Sequence, residues 1–561
     1  MVTRLNAPVG AMAGDLFAGL DGGFDALQRR ASRIVEVLRG TAVDVPPYDP
    51  QAHGPLVEFD GVADYEEVDR YWVNAPYAFV FIGFDAESDT HYYHVVEPHL
   101  DDFEQTVLDQ LYDDIRDALI YDATTDPDDR EAVLIAQMQR LLSEYSIDVT
   151  PNAFHRLFYY LHRTFEGFEK LDPVMQDPHI EDVSCDGYGL PLFVYHTDYT
   201  DIETNITYEQ QELDSFVVRL AQQSGRHISI GDPVTETTLP DGSRAELALG
   251  EEVTPRGSAF TIRKYSEEPF TPATLVDYDT FSLDQMAYLW LAIESNKSLL
   301  FAGGTASGKT TSMNAVSMFV PPRAKILTIE DTRELALYHD NWLSSVTRGA
   351  DGGGGDTITM YDLLRSALRH RPEYIIVGEV RGEEAMTLFQ AMNTGHTTYS
   401  TMHADSVQTV INRLENDPIN VPRAMIQSLD ILCVQTLTHV GDERVRRSSV
   451  IAEIEGIDQR TGDLDYSTAF EWDPTRDDFE QRDSNVLDEI QDERGWSRSD
   501  LLRELRNRKR VLQYLVEQDV TDYRRFTALI NEYYAQPERV VARVTDALDS
   551  DVAAAAPGVV E

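Results

Sequence analysis

Short apolar runs alternate with helix-like segments along residues 280–440. One run, 298–302, leads directly into a glycine-rich loop, and two others, 324–330 and 374–379, end in carboxylates. Continuous apolar runs of this length are typical of strands that are buried on both faces, with helices connecting them in parallel. The pattern therefore predicts an α/β domain with a parallel sheet.

The segments on either side predict a mixture of strands and helices. We expect strands at 71–84 and 91–97, helices at 24–38, 101–120, 131–144, 151–168, 496–518 and 522–534, and a small strand pair after about residue 445. A polar linker at 122–129 and a flexible tetraglycine loop at 352–355 interrupt these elements. Five segments follow: an acidic, partly disordered N-terminal region (1–125), a smaller α+β domain (130–272), the α/β domain (278–445), a mainly helical extension (446–545) and a disordered tail (546–561).

The composition is strongly acidic. The 561 residues include 47 Lys and Arg against 98 Asp and Glu, for a formal net charge of −51. This excess is typical of a halophile, because high salt screens the mutual repulsion. Proteins that bind nucleic acid normally have a basic surface, so we expect no nucleic-acid partner.

Cysteine usage and hydropathy limit the class of protein further. Cys185 and Cys433 are the only cysteines, which excludes a disulfide framework and a C-x-x-C zinc site and indicates a reducing compartment. No run approaches the ~18 apolar residues that a membrane-spanning helix requires. Any link to a membrane is therefore expected to go through a partner.

The loop after the 298–302 run has the form G-x-x-x-x-G-K-T, which predicts a phosphate-binding loop. Its glycines allow the backbone N–H groups to wrap a polyphosphate, and the helix that follows adds its positive dipole end. Lys309 supplies a charge for the β and γ phosphates, and the Thr310 hydroxyl can reach Mg²⁺. The expected nucleotide-binding residues are Gly303, Gly304, Thr305, Ala306, Ser307, Gly308, Lys309, Thr310 and Thr311.

Two carboxylates at strand ends and two histidines follow this loop. Glu330 and Glu379 each close an apolar run, where the carboxyl end of a parallel strand meets the ligand crevice. His396 and His403 come after a predicted helix. Hydrolysis of ATP needs an acid near the metal, a residue that orients water and groups that sense the γ phosphate. The order of these residues therefore indicates an ATPase.

The motifs together resemble those of a known family. The phosphate loop (Walker A) is followed by T-I-E-D-x-x-E (the Asp box), R-x-x-P-E-x-I-I-V-G-E (the Walker B strand) and T-G-H-x-x-x-x-T-x-H-A (the His box). Over residues 135–540 the sequence resembles the type II/type IV secretion ATPases, in particular the archaeal branch that drives assembly of type IV pili and archaella. Thr332 departs from the family, which often has Pro there.

The resemblance implies a fold and a function. The fold would be a RecA-like P-loop ATPase core with a parallel sheet, preceded by a smaller α+β domain and followed by a helical segment. The protein would be a homo-hexameric motor that uses ATP and Mg²⁺. It would lie at the cytoplasmic face of the membrane, bound to a polytopic platform protein, and act indirectly on pilin or archaellin subunits.

The resemblance also implies roles for individual residues. Glu330 would position the attacking water, Glu379 and Thr310 would lie at Mg²⁺, and the two histidines would sense the γ phosphate. Three arginines would reach the nucleotide of a neighbouring subunit, or else pair with local carboxylates, and a fourth would make an intersubunit or phosphate contact. The residues implied in catalysis are Lys309, Glu330, Glu379, His396, His403, Arg244, Arg256, Arg263 and Arg381.

Two other functions remain open at this stage. A conjugation-type ATPase that translocates nucleic acid would have a similar core, although the net charge and the lack of a basic groove with interleaved aromatics oppose it. A scaffold that no longer hydrolyses ATP would not need Lys309, Thr310, Glu330 and Glu379. The basic cluster at 503–510 is interpreted as a solvated helix face, with an anionic lipid or acidic partner loop as the alternative.

Overall fold

The computed structural model describes residues 48–49, 54–59, 61–62, 65–119, 130–265, 269–348, 357–441 and 443–555. The chain forms two compact units, the first made of 1–214 with 254–261 and the second of 215–253 with 262–561. These units divide the chain differently from the predicted domains, since 130–214 joins the N-terminal region in one unit. The predicted helix at 24–38, the linker at 122–129 and the tetraglycine loop lie outside the described residues.

The N-terminal half contains a mixed sheet and several helices. Its elements are β1 (Glu66–Asn74), β2 (Ala78–Asp85), β3 (Thr90–Val96), α1 (Asp102–Leu119), α2 (Arg130–Glu144), α3 (Pro151–Phe165), α4 (Asp172–Gln176), β4 (Ile180–Cys185), β5 (Pro191–His196), β6 (Thr200–Thr207), α5 (Gln210–Gln223), β7 (Val234–Thr238), β8 (Arg244–Ala248) and β9 (Ala259–Arg263). In the first unit the strand order is β1-β2-β3-β6-β5-β4-β9, and β7 and β8 form an antiparallel hairpin in the second.

Helices and strands alternate in the central segment, as predicted. Its elements are α6 (Pro272–Asp277), α7 (Leu283–Glu294), β10 (Leu299–Gly303), α8 (Lys309–Ser317), β11 (Ile326–Glu330), β12 (Trp342–Val346), α9 (Met360–Ala367), β13 (Tyr374–Val377), α10 (Glu384–Asn393), β14 (Thr397–His403), α11 (Val407–Glu415), α12 (Arg423–Ile426) and β15 (Ile431–Val440). The parallel strands lie in the order β12-β11-β13-β14-β10-β15.

The central strands are buried on both faces, which explains their continuous apolar sequence. Along β10, Leu299 and Phe301 pack into one hydrophobic cluster, and Leu300 and Ala302 pack into another. Successive side chains of a strand point to opposite faces, so a single run serves both layers of helices. The predicted P-loop core, with an α+β segment before it and a helical segment after it, is confirmed.

The C-terminal part begins with long antiparallel strands. Its elements are β16 (Glu443–Ile457), β17 (Leu464–Asp473), β18 (Asp478–Gln481), α13 (Asn485–Arg494), α14 (Arg498–Glu517), α15 (Tyr523–Ala535) and α16 (Pro537–Ala555). β16 pairs with β15 along its length, so these strands extend the central sheet. The strand pair predicted after about residue 445 is present as β16 and β17, but its strands are longer than expected and belong to the central sheet. Charged residues within β16 concealed how far its apolar positions extend.

Two further sequence predictions need correction. The stretch 71–84 is a hairpin, because Asn74, Ala75 and Pro76 form a turn in which the Tyr77 N–H donates to the Asn74 carbonyl at 2.6 Å. Proline has no N–H to donate to a strand ladder, so it favours this break. The tail predicted to be disordered from residue 546 is helical to Ala555, because α16 packs apolar residues at helical spacing.

Within the described ranges, no helix has both the length and the apolar character that crossing a membrane requires.

The basic cluster at 503–510 includes a buried arginine. Arg508 is 2% exposed and forms ion pairs with Glu504 of its own helix and with Glu294 at the end of α7. Its guanidinium carbon lies 5.5 Å from the centre of the Trp290 ring and 5.4 Å from that of Tyr533. The interpretation of the whole cluster as a solvated face is therefore wrong at Arg508, which fastens the C-terminal helices to the α/β domain.

Replacing Arg508 with Met should destabilise the protein strongly. The variant leaves Glu294 and Glu504 without their cation, and breaking a buried ion pair in this way costs about 3–5 kcal/mol. Lys509→Met is the matched control, because Lys509 is 40% exposed and its pair with Asp284 contributes less than about 1 kcal/mol. Urea unfolding in high salt measures both. Equal midpoints for the two variants would contradict a structural role for Arg508.

Candidate active site

The phosphate loop joins the carboxyl end of β10 to the first residue of α8. Ala306 and Gly308 have positive φ angles, +58° and +85°, so the loop turns sharply before the helix. A side chain at Gly303 would begin 2.4 Å from the Ser307 hydroxyl and 2.5 Å from the Gln435 carbonyl, which leaves room for glycine alone. The loop therefore has the geometry predicted from its sequence.

The side chain of Lys309 folds back onto the phosphate loop. It is 8% exposed, and its Nζ donates to the Gly304 carbonyl at 2.8 Å. Burial lowers the pKa of Lys309, while the charges of Glu379 and Glu334 act in the opposite direction. The two carboxylates thus help to keep the ammonium group charged where phosphate would bind.

Two residues that were not predicted from the sequence donate hydrogen bonds to backbone carbonyls of the loop. Gln435 of β15 is buried, and its amide, oriented to satisfy its hydrogen bonds, donates to the carbonyls of Ser307 and Gly308 at 2.9 and 3.2 Å. Arg446 of β16 donates from Nε to the Ala306 carbonyl at 3.0 Å. The sequence did contain a signal for Gln435, because it is the first polar residue after an apolar run of four residues in β15.

Glu330 lies at the carboxyl end of β11 and is 1% exposed. Its Oε1 accepts hydrogen bonds from the backbone N–H groups of Glu334 and Leu335, both at 2.8 Å. Its Oε2 is buried and receives no hydrogen bond from any residue that the structure describes. Burial raises the pKa of Glu330 to about 7, even though the two backbone hydrogen bonds favour the ionised form.

Glu379 follows β13 and lies between two other predicted site residues. Its Oε2 accepts a hydrogen bond from Arg381 Nη2 at 2.5 Å. Its Oε1 lies 3.3 Å from His403 Nε2, but no described donor is aligned to bond to it. Burial, and then the charge of Lys309, lower the pKa of His403, so this imidazole is neutral at pH 7. The structure thus brings Glu379, Arg381 and His403 together.

The register of the sheet places these groups beside the phosphate loop. Gly303, where the loop begins, pairs with His403 at the end of β14. β13 is the next strand and β11 the one after it, and both run parallel to β10. Glu330, Glu379 and His403 therefore lie at the same edge of the sheet as the loop, on its β14 side.

His396 lies at the other edge of the sheet. It precedes Thr397, which pairs with Tyr374 at the start of β13, whereas His403 ends the same strand. Seven residues of extended chain separate the two histidines by roughly 23 Å. His396 therefore lies out of reach of a γ phosphate on this chain's own loop, which corrects the predicted γ-phosphate contact within one subunit. The sequence motif shows the order of the two histidines but does not show that an extended strand separates them.

The remaining predicted arginines lie in the strands before the central domain. Arg244 begins β8 and pairs with Glu236 of β7, in agreement with the alternative of local ion pairing. Arg256 precedes β9 in the first compact unit, and its carbonyl accepts a hydrogen bond from the Tyr188 N–H at 3.0 Å. Arg263 is the exposed last residue of β9.

The carboxylates at this edge fit a site for Mg²⁺. In the part of the chain that the structure describes, no cluster of three or more His, Cys, Asp or Glu could hold a metal with protein ligands alone. Mg²⁺ does not require one, since it is usually held by one or two carboxylates with water and phosphate oxygens. The buried Glu379 Oε1 has no aligned hydrogen-bond donor and suits this role, with Thr310 at the start of α8.

Three family models match the sequence. The model described as Type II/IV secretion system protein matches residues 208–478, which include every residue of the site described above. Models described as PilB3-like, N-terminal and PilB3-like, C-terminal match residues 25–99 and 475–557. The N-terminal match covers much of the acidic N-terminal region, residues 1–125.

Similar proteins occur in archaea and bacteria. An uncharacterized protein of Methanocaldococcus jannaschii is 37% identical over 398 residues, which cover 70% of this chain and 72% of the relative. The type IV secretion system protein PtlH of Bordetella pertussis is 31% identical over 268 residues, covering 42% of this chain and 79% of PtlH. A Mycobacterium tuberculosis protein named for conjugal transfer is 32% identical over 260 residues, covering 45% of this chain and 74% of that protein. With its phosphate loop and strand-end carboxylates, the chain belongs to the family of type II/IV secretion system proteins.

Proposed function

We propose that this protein hydrolyses ATP to power the assembly of pilin-like subunits. The observation that carries the first part is the pair of buried carboxylate oxygens, Glu330 Oε2 and Glu379 Oε1, that lack an aligned donor at the edge of the sheet where the phosphate loop begins. Leaving such atoms unpaired is costly in a folded protein, and a bound water or metal ion would satisfy them.

Glu330 is proposed to orient the attacking water. Its Oε1 is fixed by two backbone N–H groups, so Oε2 is the oxygen left to accept a hydrogen bond from water. A pKa of about 7 lets the same carboxyl accept a proton near neutral pH. Lys309 would release the Gly304 carbonyl and bind the β and γ phosphates instead.

Glu379 and Thr310 are proposed to hold Mg²⁺, which when bound would neutralise phosphate charge as the terminal phosphate is transferred. Arg381 holds Glu379 through Oε2 and leaves Oε1 facing the site. His403 lies on the other side of the same carboxylate and, being neutral, can donate or accept a hydrogen bond to a phosphate or its water.

A homo-hexamer is proposed as the active form, with arginines of one subunit reaching the nucleotide of the next. Arg244, Arg256 and Arg263 are the candidates, and Arg244 also pairs with Glu236 of its own chain. An arginine that acts in this way accelerates hydrolysis by about 10³ to 10⁵. The motor would work at the cytoplasmic face of the membrane on a polytopic platform protein that extrudes pilin or archaellin subunits. The matches to PilB3-like end domains support a pilus motor.

Translocation of nucleic acid is the second candidate function, favoured by the relative named for conjugal transfer. The net charge of −51 opposes it, because binding to the phosphate backbone depends on clustered Lys and Arg. The basic cluster at 503–510 does not offer such a surface, since Arg508 is buried and both Arg503 and Lys509 pair with aspartates.

Replacing Lys309 with Ala should abolish ATP turnover and leave the fold intact. The variant loses the charge that the β and γ phosphates require, and no other cation occupies the loop itself. Lys325→Ala is the matched control, because Lys325 precedes β11 outside the loop. Phosphate release in high salt measures the rates, with circular dichroism to verify folding.

A folded Lys309→Ala variant that turns over at the wild-type rate would exclude this site as the ATPase centre. The same assay separates the two functions. The pilus motor predicts that added single- or double-stranded DNA leaves the wild-type rate unchanged, whereas strong stimulation by DNA would favour the second function.

Replacing Glu330 with Gln should keep nucleotide binding, abolish turnover and change the pH dependence of stability. An acid whose pKa is raised on folding stabilises the protein below its unfolded pKa, and this contribution is lost as the pH rises through the folded value. With an ordinary pKa of 4.5 and a folded pKa of about 7, the wild-type melting temperature should fall relative to that of the variant from about pH 4.5 to pH 7 and level off above pH 7.

Glu379→Gln is the comparison variant. Because Glu379 is proposed to act at Mg²⁺, its replacement should chiefly raise the Mg²⁺ concentration that half-maximal turnover requires. Titrating turnover against Mg²⁺ for both variants distinguishes the roles. Parallel profiles with near-normal rates would refute both assignments, and equal pH dependence of melting in wild type and Glu330→Gln would refute the burial argument for Glu330.

Arginines that act between subunits should be complementable in mixed rings. An inactive Arg244→Ala, Arg256→Ala or Arg263→Ala protein keeps an intact phosphate loop, and Lys309→Ala protein keeps intact arginines. Mixing the two under conditions of subunit exchange should therefore restore measurable ATPase activity. If labelled subunits exchange and every inactive arginine variant stays inactive in the mixture, the intersubunit role is wrong.

A further inference from the structure

Arg446 is a cation at the phosphate loop to which no motif assigns a role. Its Nε donates to the Ala306 carbonyl at 3.0 Å, and its Cδ lies 3.4 Å from where a side chain at Gly308 would begin. Arginine has five N–H donors, and this contact uses one of them. Among the residues that the structure describes, nothing accepts a hydrogen bond from its two terminal nitrogens.

The chain carries 98 acidic residues against 47 basic ones, and carboxylates neutralise several of its arginines. The next residue, Arg447, is 5% exposed and donates to both carboxylate oxygens of Asp477 at 2.8 Å. Arg423 likewise pairs with Glu415, and Arg381 with Glu379. Arg446 therefore stands out as an arginine at the loop that is not neutralised by a carboxylate.

The sheet order fixes the side of the loop on which Arg446 lies. The groups proposed to act on the γ phosphate follow β11, β13 and β14, which all lie on one side of β10. Arg446 belongs to β16, which lies beyond β15 on the other side. A polyphosphate whose γ end points toward Glu330 and Glu379 therefore directs its α phosphate toward Arg446.

We infer that Arg446 binds the α phosphate of the nucleotide held by the loop of its own subunit. This inference rests on the proposed ATPase function. The Nε contact orients the planar guanidinium so that its terminal nitrogens can donate to one non-bridging oxygen of the α phosphate. Lys309 would then bind the β and γ phosphates while Arg446 binds the α phosphate. ATP and ADP both have an α phosphate, so both would make the contact with Arg446.

Binding of thio-substituted nucleotides tests this contact. Sulfur in place of a non-bridging α oxygen weakens a hydrogen bond at that atom, so one diastereomer of ATPαS should bind wild-type protein more weakly than ATP does. Arg446→Ala should bind ATP and ADP about tenfold more weakly and should no longer discriminate between the ATPαS diastereomers. Sulfur at the γ phosphate should change the affinity by the same factor in wild-type protein and in Arg446→Ala, because the γ phosphate does not contact Arg446.

Two variants serve as controls. Arg444→Ala removes a charge two residues earlier on the same strand and should keep wild-type affinity and discrimination. Arg446→Lys keeps the cation without the planar guanidinium and should keep most of the affinity for ATP. Dissociation constants are measured in high salt on protein whose folding is verified by circular dichroism.

The outcomes separate this inference from the proposed function. If Arg446 only supports the loop, Arg446→Ala lowers the affinity for all nucleotides by one factor and preserves the discrimination between ATPαS diastereomers, which overturns the inference. Equal losses in Arg446→Ala and Arg446→Lys also overturn it. Wild-type protein that binds none of these nucleotides overturns both the inference and the ATPase function.

Discussion

The site depends on a phosphate loop whose backbone N–H groups must face a ligand while its carbonyls find partners elsewhere. Buried carbonyls need donors as much as buried N–H groups need acceptors. Gln435 and Arg446 supply those donors from β15 and β16, and Lys309 supplies one from within the loop. The antiparallel extension of the sheet is therefore part of the proposed nucleotide site, because Gln435 and Arg446 bind the carbonyls of the loop.

The same sheet separates two kinds of chemistry on either side of β10. The β14 side gathers Glu330, Glu379 and His403, with a carboxyl of raised pKa and an imidazole of lowered pKa within one buried edge. Shifted values of this kind are typical of active sites. The β16 side offers Arg446, a permanent cation that suits binding better than proton transfer. Hydrolysis and nucleotide retention are thus assigned to different strands.

Much of this arrangement could be predicted from the sequence because local rules determine it. The loop, the strand before it and the carboxylate at the end of β11 follow from short motifs and apolar runs. Contacts between distant segments could not be predicted. In the sequence, Gln435 is one polar residue within an apolar strand, and nothing shows that it contacts the loop. The position of His396 depends on the strand that follows it. Arg508 lies in a charged helix, and only the packing of that helix shows that its side chain is buried.

The central claim is that a nucleotide lies across the loop with its γ phosphate on the side of Glu330 and Glu379 and its nucleoside on the side of Arg446. An experimental structure with Mg²⁺ and a slowly hydrolysed ATP analogue tests it most directly. The account predicts the γ phosphate beside Lys309 and Glu379, and the α phosphate within hydrogen-bond distance of the Arg446 terminal nitrogens. A nucleotide bound in the reverse direction, or at another place in the chain, would contradict it.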